Sequence, residues 1–451
     1  MIDRTLPPKS SGSVSFEIPQ AKIITLSNGV EIYFIKKDKL PIVYTYMLAF
    51  SGSKFDPDQK KGLSFLTSLL IDEGAGEYDS LQLNNELEKL GIISGIDVDH
   101  DTFSFSLLSL KEHYNRAVEL LSKIIFEPRF EQKDFEREKK KVLDKITQLK
   151  DEPGYIASSA FYKSIFLNSE YAFPEIGYEE MVQNFNNDDV KFFYSKLFLK
   201  SMSKIFVVGN IDETELIDLY EKYFSGWHGN TASPDKIIQL SYDKTKFYYV
   251  HKKETAQSEI RIGHISKGRN ADDFYAARIM NTILGGQFSS RINLNLREKR
   301  GFTYGAGSSF NYLQQCGFFE VSTAVNIKNT GEAIVEILKE LDGIKKNITQ
   351  EEIDFAKSYL IKQFPSRFET YVQTAKNLVP LLIHALPVDY YNFYTDRLNS
   401  VTNEEVLEAA KKNIFTDQLT VVIVGDKKEI LPQLKTITGD LIELDIYGNK
   451  T

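Results

Sequence analysis

The segment KIFVVGNIDETEL, Lys204 to Leu216, has a counterpart in QLTVVIVGDKKEI, Gln418 to Ile430. Each reads as a buried strand ending in Val-Gly, then a polar turn and the start of a helix. The closing glycines, Gly209 and Gly425, stand 216 residues apart. Further out, IYFIKK (32–37) and YYVHKK (248–253) repeat at the same offset, as aromatic and β-branched runs closed by two lysines. DFEREKK (134–140) and DFAKSYL (354–360) both open helices after a turn, at an offset of 220. Two matches at one offset and a third nearby indicate a chain written twice.

Each half repeats one order of signals. Paired strands come first: VEIYFIKK with IVYTYMLAFSGS, and KFYYVHKK with SEIRIGHIS. A helix follows, expected over 61–72 and 273–284. Then come further strands, at 102–110 in the first half and at 301–310 and 317–325 in the second. Long helices complete each half, at 111–125 and 132–149, and at 330–341 and 350–363. Strands that pair locally, with helices packed to one side, make an α+β fold of two homologous halves, each a two-layer α/β sandwich. The stretch FSGWHGNTASPDK (224–236) is rich in Gly, Ser, Asn and Pro and lacks periodicity. The expected division is therefore a domain over 1–225, a linker over 226–245 and a domain over 246–451.

Composition narrows the function classes. The 451 residues carry 63 acidic and 55 basic side chains, a net charge of -8. With no basic cluster interleaved with aromatics, nucleic acid is not an expected partner. No apolar run reaches the roughly 18 to 20 residues of a membrane span. The first residues, MIDRTLPPKSSGSVSF, do not read as a signal peptide. Cys316 is the only cysteine, which excludes an intrachain disulfide and a cysteine-rich metal site and fits a reducing compartment. A cytoplasmic location is expected, with the periplasm as the other possibility. The six histidines, His100, His113, His228, His251, His264 and His384, include no pair three or four residues apart. Neither a Gly-x-Ser-x-Gly elbow nor a phosphate-binding glycine loop occurs.

Two stretches resemble the pitrilysin- or insulinase-like zinc peptidases, the M16 family of inverted zincins. They are LSNGVEIYFIKKDKLPIVYTYMLAFSGSKFDPDQKKGLSFLTSLLIDEG, from Leu26, and LGGQFSSRINLNLREKRGFTYGAGSSF, from Leu284. The resemblance runs from about Ile23 to Asp445. It implies a clamshell of two halves with the LuxS/MPP-like metallohydrolase fold, closing around a peptide chamber. An active member carries His-x-x-Glu-His on the first helix, which places two imidazoles and a carboxylate on one face. Here those positions fall on Phe65, Ser68 and Leu69, and the third ligand, a glutamate in active members, falls on Lys145. Neither Phe nor Leu coordinates zinc, and a serine hydroxyl is no general base of carboxylate strength. Asp144 points about 100° away from Lys145 around a helix. No metal and no cofactor are therefore expected in this chain.

The second half keeps the family's other equipment. Arg297 and Tyr304, in NLREKRGFTYG, match the pair with which the C-terminal half assists cleavage. Tyr304 can donate a phenolic hydrogen bond to a carbonyl oxygen, and Arg297 can hold a peptide with its rigid fork. The same two residues also suit a helix end and a core-facing strand. Arg291 and Arg300 read as local support. The glycines of 301–307 allow close backbone approach, and an edge strand over 101–110 is a candidate for peptide addition.

The resemblance implies a non-catalytic, substrate-binding subunit. It would complete the active site of a homologous zinc-bearing partner in a heterodimer acting on peptides or unfolded polypeptides, with Zn²⁺ in the partner. The alternatives are a structural or peptide-binding scaffold with no role in hydrolysis, and a hydrolase with an unfamiliar site.

Overall fold

The computed structural model describes residues 16–167, 169–195, 202–227 and 244–451. Most of the expected linker, 228–243 with His228, lies outside them. Two six-stranded mixed sheets dominate. In the first, the order across the sheet is Lys22–Thr25, Glu31–Lys36, Met202–Gly209, Ile42–Ala49, Phe103–Leu110 and Ile93–Val98. In the second it is Leu441–Leu444, Lys246–His251, Thr420–Gly425, Gln257–Ser266, Gly317–Asn326 and Ala306–Tyr312. Four of the five pairings match in order and in sense. Glu31–Lys36 with Met202–Gly209 and Lys246–His251 with Thr420–Gly425 are parallel, and the other inner pairs are antiparallel. The halves differ at one edge, where Lys22–Thr25 runs antiparallel to its neighbour and Leu441–Leu444 runs parallel.

Register corrects one alignment. The 216 offset suits the two glycines, but Lys37 donates to Gly209 as Lys252 donates to Gly425, each at 3.0 Å. The strands therefore correspond at an offset of 215. A slip of one residue would turn every side chain to the wrong face. At 215, Tyr33 and Ile35 correspond to Tyr248 and Val250, and all four face a helix of the opposite half.

That crossing of helices is the main packing feature. Ile32, Phe34, Val43 and Met47 lie under the first half's own helices. On the opposite face, Tyr33, Tyr44, Tyr46 and Phe206 join the second half's core, and the Tyr371–Ile383 helix packs on strands Ile42–Ala49 and Met202–Gly209. Reciprocally, the first half's Pro153–Phe166 helix packs on strands Gln257–Ser266 and Thr420–Gly425, burying Ile156, Phe161 and Ile165 against Tyr248, Val422 and Val424. Phe318 of the second sheet sits 5.5 Å from the ring of Tyr162 and 5.6 Å from that of Phe166. A buried polar staple adds to this. Asp101 pairs with Lys54 at 3.0 Å, accepts from Tyr171 at 2.5 Å, and accepts from the backbone of Gln314 in the second half at 2.9 Å.

Two local expectations change. The helix expected over 61–72 is short, Leu63–Ser68, and starts at Gly62 with φ 100°. A Cβ there would meet Ile176 O at 2.5 Å, so only glycine fits. The strand expected from 301 begins at Ala306. Strand Phe103–Leu110 is interior, not an edge. The edge is Ile93–Val98, whose sequence ISGIDV carries Ser, Gly and Asp and so gives a weak strand signal.

Because each half covers the other's sheet, unfolding should be a single transition. Phe318→Ala in the second half should cost about 3–5 kcal/mol. The lone tryptophan, Trp227, is buried in the first half's core. Its fluorescence midpoint in urea should fall together with that of far-UV circular dichroism. A Trp227 transition that stays put while the circular dichroism splits would show independent halves.

Candidate functional site

The short Leu63–Ser68 helix is anchored by Asp56. This carboxylate accepts from the backbone N–H of Gly62 at 2.8 Å and of Ser64 at 2.9 Å, and from the Ser64 hydroxyl at 3.2 Å. Burial pushes Asp56 up to about 7, against the pull of those donors and of the Lys61 ammonium. Lys61, itself buried, donates to the Asp56 carbonyl at 2.9 Å and pairs with Glu170. The anchor went unseen in the sequence because Asp56 lies six residues ahead of Gly62, the residue at the capping position.

On this helix, Phe65 and Leu69 pack against the first half's core. Ser68 is buried, and its hydroxyl donates to the Phe65 carbonyl at 2.7 Å. The neighbouring Gln132–Leu149 helix carries Lys145 on its exposed side. Two carboxylates near these segments are committed elsewhere. Glu73 pairs with Arg137 at 2.5 Å, and Glu138 pairs with Arg137 at 2.9 Å and Lys141 at 2.7 Å. Burial, and then Glu73, push Asp72 up to about 6. Among the described residues no group of three His, Cys, Asp or Glu side chains is arranged to hold a metal. Phe65, Ser68, Leu69 and Lys145 do not fit zinc: two have no donor atom, one spends its hydroxyl on the backbone, and one brings a positive charge.

In the second half, Arg297 and Tyr304 occupy one helix-to-strand connection but do not touch through any hydrogen bond or ion pair. Arg297 sits in a π-helical segment, Leu294–Lys299, a rare geometry common at functional sites. The Arg300 N–H reaches back to Asn295 O at 3.1 Å, and the Gly301 N–H to Arg297 O at 3.1 Å. Asn295 holds the wide turn by donating to Glu336 at 3.1 Å and to Glu340 at 2.7 Å. Arg300 pairs with Glu332 at 2.7 Å, and Arg291 with Glu352 at 2.6 Å, so these two arginines are structural. The Arg297 guanidinium lies 4.5 Å from the ring centroid of Phe288, which is itself 63% exposed. Tyr304 is 91% exposed, and its hydroxyl has no partner among the described residues. The sequence reading missed Phe288 and the π-turn. Phe288 stands in Gly285-Gly286-Gln287-Phe288, an apolar residue at a turn, and that is the only signal it leaves.

Two of the histidines are held by contacts within the fold. His100 contacts Glu175 at 2.8 Å and Phe173 O at 3.0 Å. Burial alone would lower its pKa, but Glu175 prevails and raises it. His251 accepts from the Lys427 N–H at 3.2 Å.

Comparison with known proteins finds one family across both halves of the chain. The Insulinase (Peptidase family M16) model matches residues 35–173, and the Peptidase M16 inactive domain model matches 184–360. A Helicobacter pylori protein described as "Non-peptidase homolog YmxG" is 24% identical over 420 residues, 92% of this chain and 94% of that protein. A Bacillus subtilis protein described as "Uncharacterized zinc protease YmxG" is 24% identical over 412 residues, 90% of this chain and 98% of that protein. The crystal structure of a peptidase M16 inactive domain from Pseudomonas fluorescens superposes with a TM-score of 0.83 at 23% identity, covering 90% of this chain and 98% of that one.

Two measurements check the site. The dialysed protein should hold no stoichiometric zinc by elemental analysis; one tightly bound zinc per chain would contradict the donor set described above. Asp56→Ala should destabilise the fold by about 1–3 kcal/mol in urea, since buried N–H groups at Gly62 and Ser64 lose their acceptor.

Proposed function

Because this chain belongs to the M16 peptidase family and the described residues of its first half include no zinc ligand set, we propose that it is the substrate-binding subunit of a two-chain zinc peptidase. The partner is a homologous chain with an intact His-x-x-Glu-His motif, and it supplies both the Zn²⁺ and the water-activating carboxylate. The observation that carries this reading is the state of Tyr304. An aromatic side chain of that size, almost wholly in solvent with an unpartnered hydroxyl, gains nothing for its own fold. It is free to donate to a carbonyl oxygen in a site completed by another chain. Arg297, set against Phe288, stands ready to grip the peptide beside it.

In this reading the units are residues 1–225 and 246–451, with 226–245 joining them. The open edge of Ile93–Val98 receives extended peptide by main-chain hydrogen bonds, a mode that tolerates varied sequence. No helix among the described residues is long and apolar enough to cross a membrane. A reducing compartment, the cytoplasm, suits the single buried cysteine, Cys316.

The test is reconstitution. The purified chain should not cleave a quenched fluorescent peptide alone, and should gain activity when mixed with the zinc-bearing homologue from the same genome. Tyr304→Phe should lower kcat of the mixture by about 10²-fold, the cost of losing one oxyanion donor. Assembly on size-exclusion chromatography should be unchanged. Unaltered turnover would remove the proposed role of Tyr304, and a mixture with no activity would leave a peptide-binding scaffold.

A further inference from the structure

The arginines among the described residues divide into two groups. Arg116, Arg129, Arg137, Arg261, Arg291, Arg297 and Arg300 each have a carboxylate within 3.5 Å. Arg269, Arg278, Arg367 and Arg397 have none among the described residues, and all four gather on one tyrosine cluster of the second half. Arg269 donates to the Tyr390 hydroxyl at 2.7 Å, and Arg397 lies 5.9 Å from the Tyr390 ring. Arg278 donates through Nε to the Tyr394 hydroxyl at 3.1 Å, and Arg367 lies 5.8 Å from the Tyr394 ring. Four guanidiniums without a counter-charge, in a chain of net charge -8, repel one another. The aromatic faces offset only part of that cost.

Two of these arginines, Arg278 and Arg367, line a cavity of about 460 Å³, a size usual for a small-ligand site. Its other polar walls include Tyr359, Gln363, Gln373 and Asn377, and its lining contains no Asp or Glu. With Nε of Arg278 committed to Tyr394, its two terminal nitrogens remain free to act as a fork. Arg367 donates no hydrogen bond among the described residues.

The place of the cavity in the duplication is informative. It is walled by the Phe274–Leu284, Gln350–Gln363 and Tyr371–Ile383 helices. In element order these correspond to the Leu63–Ser68, Gln132–Leu149 and Pro153–Phe166 helices of the first half. The second half thus has an open, cationic corner where the first has the corner bearing Phe65, Ser68, Leu69 and Lys145.

We propose that this cavity binds the carboxylate of a peptide ligand, with Arg278 and Arg367 gripping its oxygens and the amide side chains meeting the adjacent peptide groups. A carboxylate would supply the charge that the lining lacks, and the planar forks match its geometry. The inference deepens the peptide-gripping reading above, and rests on it only in taking the ligand to be a peptide.

Binding to the purified chain alone, read by fluorescence anisotropy, tests it without any partner. Three labelled peptides of one extended sequence are compared. One has no acidic residue and an amidated end, one has a free C-terminal carboxylate, and one is amidated with a single internal Asp. At least one carboxylate-bearing form should bind about tenfold or more tightly than the neutral form, the worth of a hydrogen bond to a charged group. Which form does so identifies the source of the carboxylate. Arg367→Gln, which removes no hydrogen bond of the fold, should abolish that difference, and Arg278→Gln should do the same. Near-UV circular dichroism should stay native for Arg367→Gln. Equal binding of all three peptides would overturn the proposal, as would a preference that survives both substitutions, or displacement by inorganic phosphate of a probe that shows no preference among the peptides. A mixture that fails to cleave would count against the two-chain enzyme and leave this binding result standing.

Discussion

A twisted sheet has two faces, and the helices of one half can cover only one of them. In this chain each sheet is apolar on both sides, so the uncovered face must be buried by something else. The solution is reciprocal: Pro153–Phe166 leaves the first half to cover the second sheet, and Tyr371–Ile383 covers the first sheet in return. The cores of the two halves therefore depend on each other. Residues such as Tyr33, Tyr46 and Phe206 are core residues only when the other half is present. The Asp101 staple reinforces this, since parting the halves would leave the buried carboxylate with Lys54 and Tyr171 but without the Gln314 N–H.

With the frame held this way, chemistry is confined to the helix corners and sheet edges. The first corner is packed rather than open. Phe65 and Leu69 add to the core, Ser68 closes on its own backbone, and Asp56 locks the helix start. Glu73 and Glu138 in this region pair with Arg137. Among the described residues, the second half leaves the Tyr304 hydroxyl without a partner and the guanidinium groups around Tyr390 and Tyr394 without a carboxylate.

The duplication was legible because strands carry a period of two and end on glycines, so Gly209 and Gly425 stand out. The 216 offset went one residue astray for the opening strands because IYFIKK and YYVHKK are apolar on both faces and carry no alternation to fix register. The Ile93–Val98 edge was illegible for a related reason. An edge strand has one neighbour, tolerates Ser, Gly and Asp, and so resembles a loop in composition. The absence of zinc ligands at 65, 68, 69 and 145 could be read directly, because it depends on residue type alone. The π-turn under Arg297 and the shelf formed by Phe288 could not, since both arise from contacts with Glu336, Glu340 and a ring nine residues earlier. The arginine–tyrosine cluster joins residues from 269 to 397, and no local pattern signals it.

The two corners also show how a duplicated fold can divide its labour. Corresponding helices in the two halves have different electrostatic needs because their side chains differ, even though the backbone plan is the same. A corner that holds a dication must gather negative and neutral donors and keep water within reach. Once the donors become Phe and Leu, the most stable outcome is to exclude water, and the buried Ser68 and the packed Phe65 and Leu69 do this. A cationic corner cannot relax in that way. Guanidinium groups stay charged at any physiological pH, so they cannot be neutralised by losing a proton as a buried lysine can. Arg278 and Arg367 meet the Tyr394 side chain but no carboxylate among the described residues. The charge of Arg367, which donates no hydrogen bond among the described residues, is the clearer case of one that the fold does not use for itself.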